Sequence, residues 1–261
     1  MEVLLNQITV TINKEKNLEK ILKIIDNYEA DLMIFPEYIM GVPDINLTYE
    51  YVSKIAEPIT GKFITSIVEK TRNKDTAILF TSYLLEENKI FNAAIFAEKG
   101  KIQGIYKKIH LFDAFGYKES SIFYPGNNIT FVNFKGFKIS FSVCFDLRFP
   151  EIFRYMMYNG TDIVIIPSAW YKGKYKLLQW YSLALARAHE NNMFVMLVNQ
   201  TGEKFIGHSL IASPLGYISL DLGEEEKIIK YYIDKNEILS SRKILSMRKL
   251  SRKELYSNFY R

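Results

Sequence analysis

The chain has 261 residues, a formal net charge of +5 and 48% hydrophobic residues, enough for one large domain with a substantial core or for two small ones. A single cysteine excludes an intramolecular disulfide framework and makes a reducing, cytoplasmic setting the expectation. No uncharged apolar run approaches the ~18 residues a membrane span needs, and the N-terminus lacks the basic stretch of a signal peptide.

Residues 1–11 read as a first strand, through Val3, Leu5 and Ile8. Residues 17–28 place Leu18, Ile21, Leu22, Ile24 and Ile25 at helical spacing. Leu32 to Phe35 is a continuous apolar run, as expected of a strand covered on both faces. It ends in Pro36-Glu37, an acid at a strand end that alone reads equally as a solvated loop residue. A helix is expected over 61–71, and strands over 76–85, 88–98 and 101–109, the last two joined through Glu98-Lys-Gly-Lys101. The third strand closes on Tyr106-Lys-Lys-Ile-His-Leu-Phe112. Lys108, beside Ile109 and Leu111, is an ordinary exposed lysine or a desolvated one with a lowered pKa.

Residues 113–128 read as a loop, and 130–134 with 136–143 as a hairpin. In its second arm Ile139, Phe141 and Val143 alternate with polar residues. Cys144 ends the alternation. Pro150 suits a first helical turn, and Glu151 there complements the helix dipole. Cys144 is therefore expected on a sharp strand-to-helix corner, where a nucleophile is exposed and backbone N–H groups converge. A lone cysteine also fits as a small buried hydrophobe.

A helix over 151–159 ends at Gly160. Asp162-Ile-Val-Ile-Ile-Pro167 then echoes Asp31-Leu-Met-Ile-Phe-Pro36, which hints at two similar βα halves facing each other. A long helix over 175–191 and strands over 193–199, 207–211, 217–220 and 227–233 follow. Alternating helices and strands with antiparallel hairpins make the class α/β. From Ser240 onward Arg242, Lys243, Arg248, Lys249, Arg252, Lys253 and Arg261 face Glu254 alone. The positive charge is thus a tail property. A solvated or partner-packed arm is expected, ahead of a nucleic-acid patch, because only Tyr256, Phe259 and Tyr260 are aromatic there.

Glu37, Lys108 and Cys144 all stand at ends of apolar strands. With their flanks, Phe35-Pro36-Glu37, Tyr106-Lys107-Lys108-Ile109-His110-Leu111-Phe112 and Cys144-Phe145-Asp146-Leu147-Arg148-Phe149-Pro150-Glu151, they resemble the motifs of the nitrilase, or carbon–nitrogen hydrolase, superfamily. Order and spacing fit from the first strand to about Ile218. Glu119, six residues before Pro125-Gly126, resembles the family's second active-site glutamate. Trp180 with Arg187-Ala-His-Glu190 resembles its long helix after the nucleophile, although that helix often carries His where this chain has Gln179.

The resemblance implies a four-layer α-β-β-α sandwich, a single domain over 1–261 with a basic arm from about 240, and a homodimer or larger assembly. It implies Cys144 as nucleophile, Glu37 as general base, Lys108 and the Phe145 N–H as oxyanion donors, and Glu119 as a second, positioning carboxylate. No metal or cofactor belongs to that cycle. The cysteine motif resembles the branch of ω-amidases and deaminated-glutathione amidases. It lacks the Trp-Glu of nitrilases and the paired arginines of carbamoylases, which remain the alternatives. Arg148 either binds a substrate carboxylate or braces the corner through Asp146 or Glu151. Competing readings are a Cys–His hydrolase with His110 as base, and a non-catalytic protein whose tail contacts nucleic acid. The three histidines, His110, His189 and His208, lack metal-cluster spacing and read as structural.

Overall fold

The echoed segments become the middle strands of two sheets in a computed structural model that describes every residue except Ile45, Ser257, Tyr260 and Arg261. The tail residues Tyr260 and Arg261 singled out above thus lie outside the described residues. In the first half, β1 (Glu2–Gln7) leads through α1 (Lys14–Asn27) to β2 (Leu32–Ile34). Next come α2 (Tyr49–Ile55), α3 (Lys62–Glu69) and the meander β3 (Ala77–Glu86), β4 (Lys89–Glu98) and β5 (Lys101–Lys107). A two-residue hairpin, β6 (Asp113–Ala114) and β7 (Tyr117–Lys118), and a 3-10 turn (Glu119–Ser121) occupy the expected loop. In the second half β8 (Phe131–Phe134) and β9 (Phe137–Phe141) run into a 3-10 turn, Cys144–Arg148, then α4 (Pro150–Tyr158) and β10 (Ile163–Ser168). The long helix α5 (Lys176–His189) precedes β11 (Phe194–Asn199), β12 (Leu210–Ala212), β13 (Ile218–Asp221) and β14 (Lys227–Tyr232). The tail forms α6 (Lys235–Ile244), α7 (Met247–Leu250) and α8 (Lys253–Tyr256).

One sheet has the order β14-β1-β2-β3-β4-β5 and the other β13-β12-β11-β10-β9-β8. In each, three parallel strands are joined by helical crossovers and then extended by an antiparallel meander. The registers repeat: Leu32 pairs with Val3 and Ala77 as Ile163 pairs with Ile139 and Phe194. Even a cap is duplicated. Asp31 accepts from the Glu2 N–H at 2.7 Å, and Asp162 from the Lys138 N–H at 3.0 Å.

Strand alternation sends one set of side chains between the sheets, including Val3, Leu5, Ile34, Leu79, Phe96, Phe141, Ile165 and Met196. The opposite set of the first sheet (Leu4, Met33, Phe80) buries against Ile21 and Ile25 of α1 and Phe63 and Ile67 of α3. That of the second (Val164, Ile166, Leu197) packs on Phe153 of α4 and Trp180 and Ala184 of α5. The layers are therefore α-β-β-α, with three apolar cores between them.

Several boundaries differ from the sequence expectations. β1 stops at Gln7 and β5 at Lys107, so Lys108 lies just past its strand. α2, capped by the Thr48 side chain, carried no sequence expectation. The tail does not leave the body at Ser240. α6 begins earlier, buries Ile238 and Ser241, and its Arg242 pairs with Asp162 at 2.7 Å and donates to the Thr161 carbonyl. Among the described residues no helix is long and apolar enough to cross a membrane.

Candidate active site

The ends of β2 and β10 meet head-on, and the site is built at that junction. The Glu37 N–H donates to the Ser168 carbonyl at 3.3 Å, and the Ala169 N–H donates to Glu37 Oε2 at 2.9 Å. Gln200 holds the Glu37 carbonyl at 2.7 Å. The carboxylate is thereby aimed along the gap between the sheets rather than into a loop.

Lys108 arrives by strand alternation. In Tyr106-Lys107-Lys108 the middle lysine points outward, pairs with Glu86 and lies over the Phe91 ring, while its neighbours turn inward and are buried. Lys108 Nζ sits 3.0 Å from Glu37 Oε1 and 2.9 Å from Glu119 Oε2. Its carbonyl accepts from the Gly126 N–H at 2.8 Å. A Cβ on residue 126 would come within 2.1 Å of the Lys107 carbonyl oxygen, so the Pro-Gly sequence there lets the two segments touch.

Glu119 is held by the Phe112 N–H at 2.6 Å and by the Tyr38 hydroxyl at 2.9 Å. Asn92 donates to Glu37 Oε1 at 2.7 Å and to Glu119 Oε1 at 3.2 Å. All five side chains are at most 5% exposed. One ammonium faces two carboxylates in a dry interior, so the cluster favours holding an extra proton. Burial and the neighbouring Glu119 charge raise the Glu37 pKa against the opposing pull of Lys108. Burial works against the charged form of Lys108, but Glu119 and Glu37 outweigh it and hold the ammonium charged.

Cys144 stands on the expected corner, in a left-handed conformation with φ 45° that is uncommon for a non-glycine residue. Asp146, fully buried, braces the corner. It accepts from the Val143 N–H (2.9 Å), the Tyr106 hydroxyl (2.7 Å), the His110 N–H (2.9 Å) and His110 Nδ1 (2.8 Å). From the other side Arg187 of α5 donates to the carbonyls of Leu147 and Arg148 while paired with Glu190. Burial first, then the Glu37 charge, push the Cys144 thiol well above the usual range. The thiol thus keeps its proton at rest, beside a carboxylate whose own proton affinity is raised.

Above the sulfur opens a pocket lined by Phe112, Phe145, Arg148, Trp170, Tyr171 and Lys176, with Glu37, Lys108 and Cys144 at its base. Phe145 follows the nucleophile directly, as expected. Arg148 forms no ion pair with Asp146 or Glu151, because Asp146 is filled by other donors. Instead it donates to Gln179 at 2.9 Å and lies 4.6 Å from the Trp170 ring centroid. His110 is stacked on Phe149 at 3.6 Å, and its Nδ1 is occupied by Asp146. His208 contacts Tyr181 and Asp221, and His189 the Pro214 carbonyl.

The sequence-predicted Glu37, Lys108, Glu119, Cys144, Phe145 and Arg148 thus come together. Asn92, Tyr38, Trp170, Tyr171 and Lys176 were not anticipated. Asn92 carried a signal: it is a lone amide in the apolar run Ile90 to Phe96, in line with the inward residues Ala94 and Phe96.

Residues 3–243 match the sequence model of the carbon-nitrogen hydrolase family. A deaminated glutathione amidase of Escherichia coli O157:H7 is 30% identical over 221 residues, covering 83% of this chain and 84% of its own. A 2-oxoglutaramate amidase of Bacillus subtilis (strain 168) is 31% identical over 239 residues, covering 88% of both. The crystal structure of a CN-hydrolase superfamily protein from Xanthomonas campestris, with an arsenic adduct in its active site, superposes with a TM-score of 0.86 at 25% identity, covering 96% of this chain and 97% of its own. The chain belongs to the carbon–nitrogen hydrolase family.

Proposed function

We propose that this chain hydrolyses a small carboxamide, an ω-amide of a carboxylic acid, to a carboxylate and ammonia through a thioester on Cys144. One observation carries the reading: a cysteine in a left-handed conformation at a strand end shares a pocket floor with Glu37 and Lys108, and the same lysine bridges Glu37 to a second buried carboxylate, Glu119. The names of the Escherichia coli and Bacillus subtilis relatives support the amide class.

In the cycle Glu37 takes the Sγ proton as the sulfur attacks the amide carbon and forms the C–S bond. The resulting oxyanion is met by Lys108 Nζ and the Phe145 N–H. Glu37 returns the proton to the amide nitrogen, the C–N bond breaks and ammonia leaves. Glu37 then takes a proton from water, the hydroxide adds to the thioester carbon, the C–S bond breaks, and Glu37 returns the proton to Sγ, restoring the thiol. Glu119 keeps the proton affinity of Glu37 high and, with Asn92, fixes its orientation.

The same reading places the enzyme in the cytoplasm as a homodimer or larger assembly. Exposed Tyr155 of α4 and Leu178 of α5, flanking the nucleophile corner, support self-association, and light scattering at micromolar concentration tests it. The decisive assay for the activity is ammonia release from a panel of ω-amides, N-carbamoyl acids and nitriles, with Cys144→Ala as control. Release from the ω-amides alone is expected. Cys144-dependent release confined to carbamoyl acids or nitriles moves the chain to a sister activity, and none at all removes the reading.

A further inference from the structure

The pocket holds charges of two kinds. Glu37 and Lys108 at its floor are satisfied by each other and by Glu119 behind them. Arg148 and Lys176 in its wall have no ion-pair partner among the described residues. Arg148 spends one nitrogen on Gln179, and its Nε is buried without an acceptor. Lys176 Nζ lies 4.1 Å from the Phe115 ring centroid, 5.7 Å from Trp170 and 5.9 Å from Phe112, an aromatic setting with no carboxylate. Burial, and then the Arg148 charge, press the Lys176 ammonium toward its neutral form. Two partly desolvated cations beside a donor without a protein acceptor leave this wall with unbalanced positive charge. An anion between them relieves it.

Both cations depend on the first turn of α5. Lys176 and Gln179 are three residues apart, on one helix face. Gln179 is also where the sequence departs from the histidine its family often carries. We propose that this turn is the specificity element of the enzyme: Lys176 and the Gln179-held Arg148 clamp a carboxylate at the end of the substrate remote from the scissile amide. The aromatic rings of Phe112, Trp170 and Tyr171 enclose the short apolar chain between the two ends. Gln179 acts through Arg148 and is a positioning residue. This inference rests on the amidase reading and adds to it the recognition of substrate charge.

The test compares succinamate with succinamide, which match in length and differ in the charge of the far end. The readout is the ratio of their kcat/KM values. Lys176→Met is expected to lower the succinamate-to-succinamide ratio at least about ten-fold, and Lys176→Glu to lower it further. Gln179→Leu should raise KM for succinamate several-fold while kcat holds. A ratio unmoved by both Lys176 substitutions, with the two substrates losing rate together, overturns the clamp and leaves the amidase intact. A Gln179→Leu effect confined to kcat overturns the positioning role. If the wild type hydrolyses neither compound, that outcome counts against the amidase reading and not against the clamp. The clamp is then decided by calorimetry: succinamate binding to Cys144→Ala must weaken about ten-fold on adding Lys176→Met, and equal affinity overturns it.

Discussion

The ends of β2 and β10 are the same structure used for opposite purposes. Both strands run Asp to Pro through four apolar residues, both lie between two parallel partners, and both Asp side chains cap the neighbouring strand. After the proline the first half places Glu37 and the second Ser168. One end presents a carboxylate; the other presents the Ser168 carbonyl and Ala169 N–H that hold it. The shared registers also put Cys144 of the second half where the first has Ile8, buried and inert. The proposed base and nucleophile therefore come from non-equivalent corners of two similar scaffolds. The scaffold supplies rigid, convergent strand ends, and single side chains decide which end does chemistry.

Glu37→Gln erases that distinction and should have the largest effect. The amide keeps the shape and one acceptor but cannot take a proton, so kcat/KM for the best amide should fall about 10³-fold or more. Stability should not fall with it. Because burial raises the Glu37 pKa, its ionised form weakens the fold: stability decreases as pH rises above the ordinary carboxylate range through the raised value. At neutral pH the variant should therefore melt at or above the wild-type temperature, since Lys108 keeps Glu119. A large drop in melting temperature would mean that the carboxylate is structural rather than strained for function.

Glu119→Gln sharpens the comparison, because Glu119 makes the first strand end more than a lone acid. Its charge is one cause of the raised Glu37 pKa. Removing it should move the acid limb of the kcat/KM profile to lower pH and reduce the maximum about 10- to 100-fold. An acid limb that stays in place, measured between pH 4 and 8, would separate Glu119 from the proton affinity of the base.

Much of this was legible because the proposed chemistry sits where patterns break. Apolar runs ending at Glu37, Lys108 and Cys144 marked the strand ends, and Pro150 marked the following helix. The echo at Asp31 and Asp162 announced the paired halves. Family motifs, rather than periodicity, separated Lys108 from Lys107; the pleat then explains why only the former turns inward. Asn92 was passed over because an amide inside an apolar run reads as an ordinary strand residue until the facing sheet shows where its end points. Lys176 left no local signal at all: its place in the pocket depends on how α5 lies over the second sheet. The 3-10 turn at Cys144 was likewise hidden, since its brace, Asp146, works through Tyr106 and His110, remote in sequence. The tail was misjudged for a related reason. A count of charges does not tell which of them finds a buried partner.

That last point gives the smallest predicted effect. Asp31 and Asp162 are equivalent, but they are neutralised differently: Asp31 by Lys135 at 3.1 Å, Asp162 by Arg242 from the chain's far end at 2.7 Å. The part of the tail after Leu245 adds little. α7 buries no residue, and among the described residues beyond Leu245 the tail reaches the body through the Met247 N–H on Asn192 Oδ1, the Tyr158 hydroxyl donating to Ser251 Oγ, and Lys253 over the Tyr158 ring. Ending the chain at Leu245 should cost about 1–2 kcal/mol, the net worth of two such hydrogen bonds. Ending it at Ile233 should cost about 3 kcal/mol or more, because Asp162 loses its cation and Ile238 its buried place. Urea titrations of the two truncations measure the difference. Equal losses would mean that the basic segment after Leu245, and not the Arg242–Asp162 contact, fastens the tail to the second half.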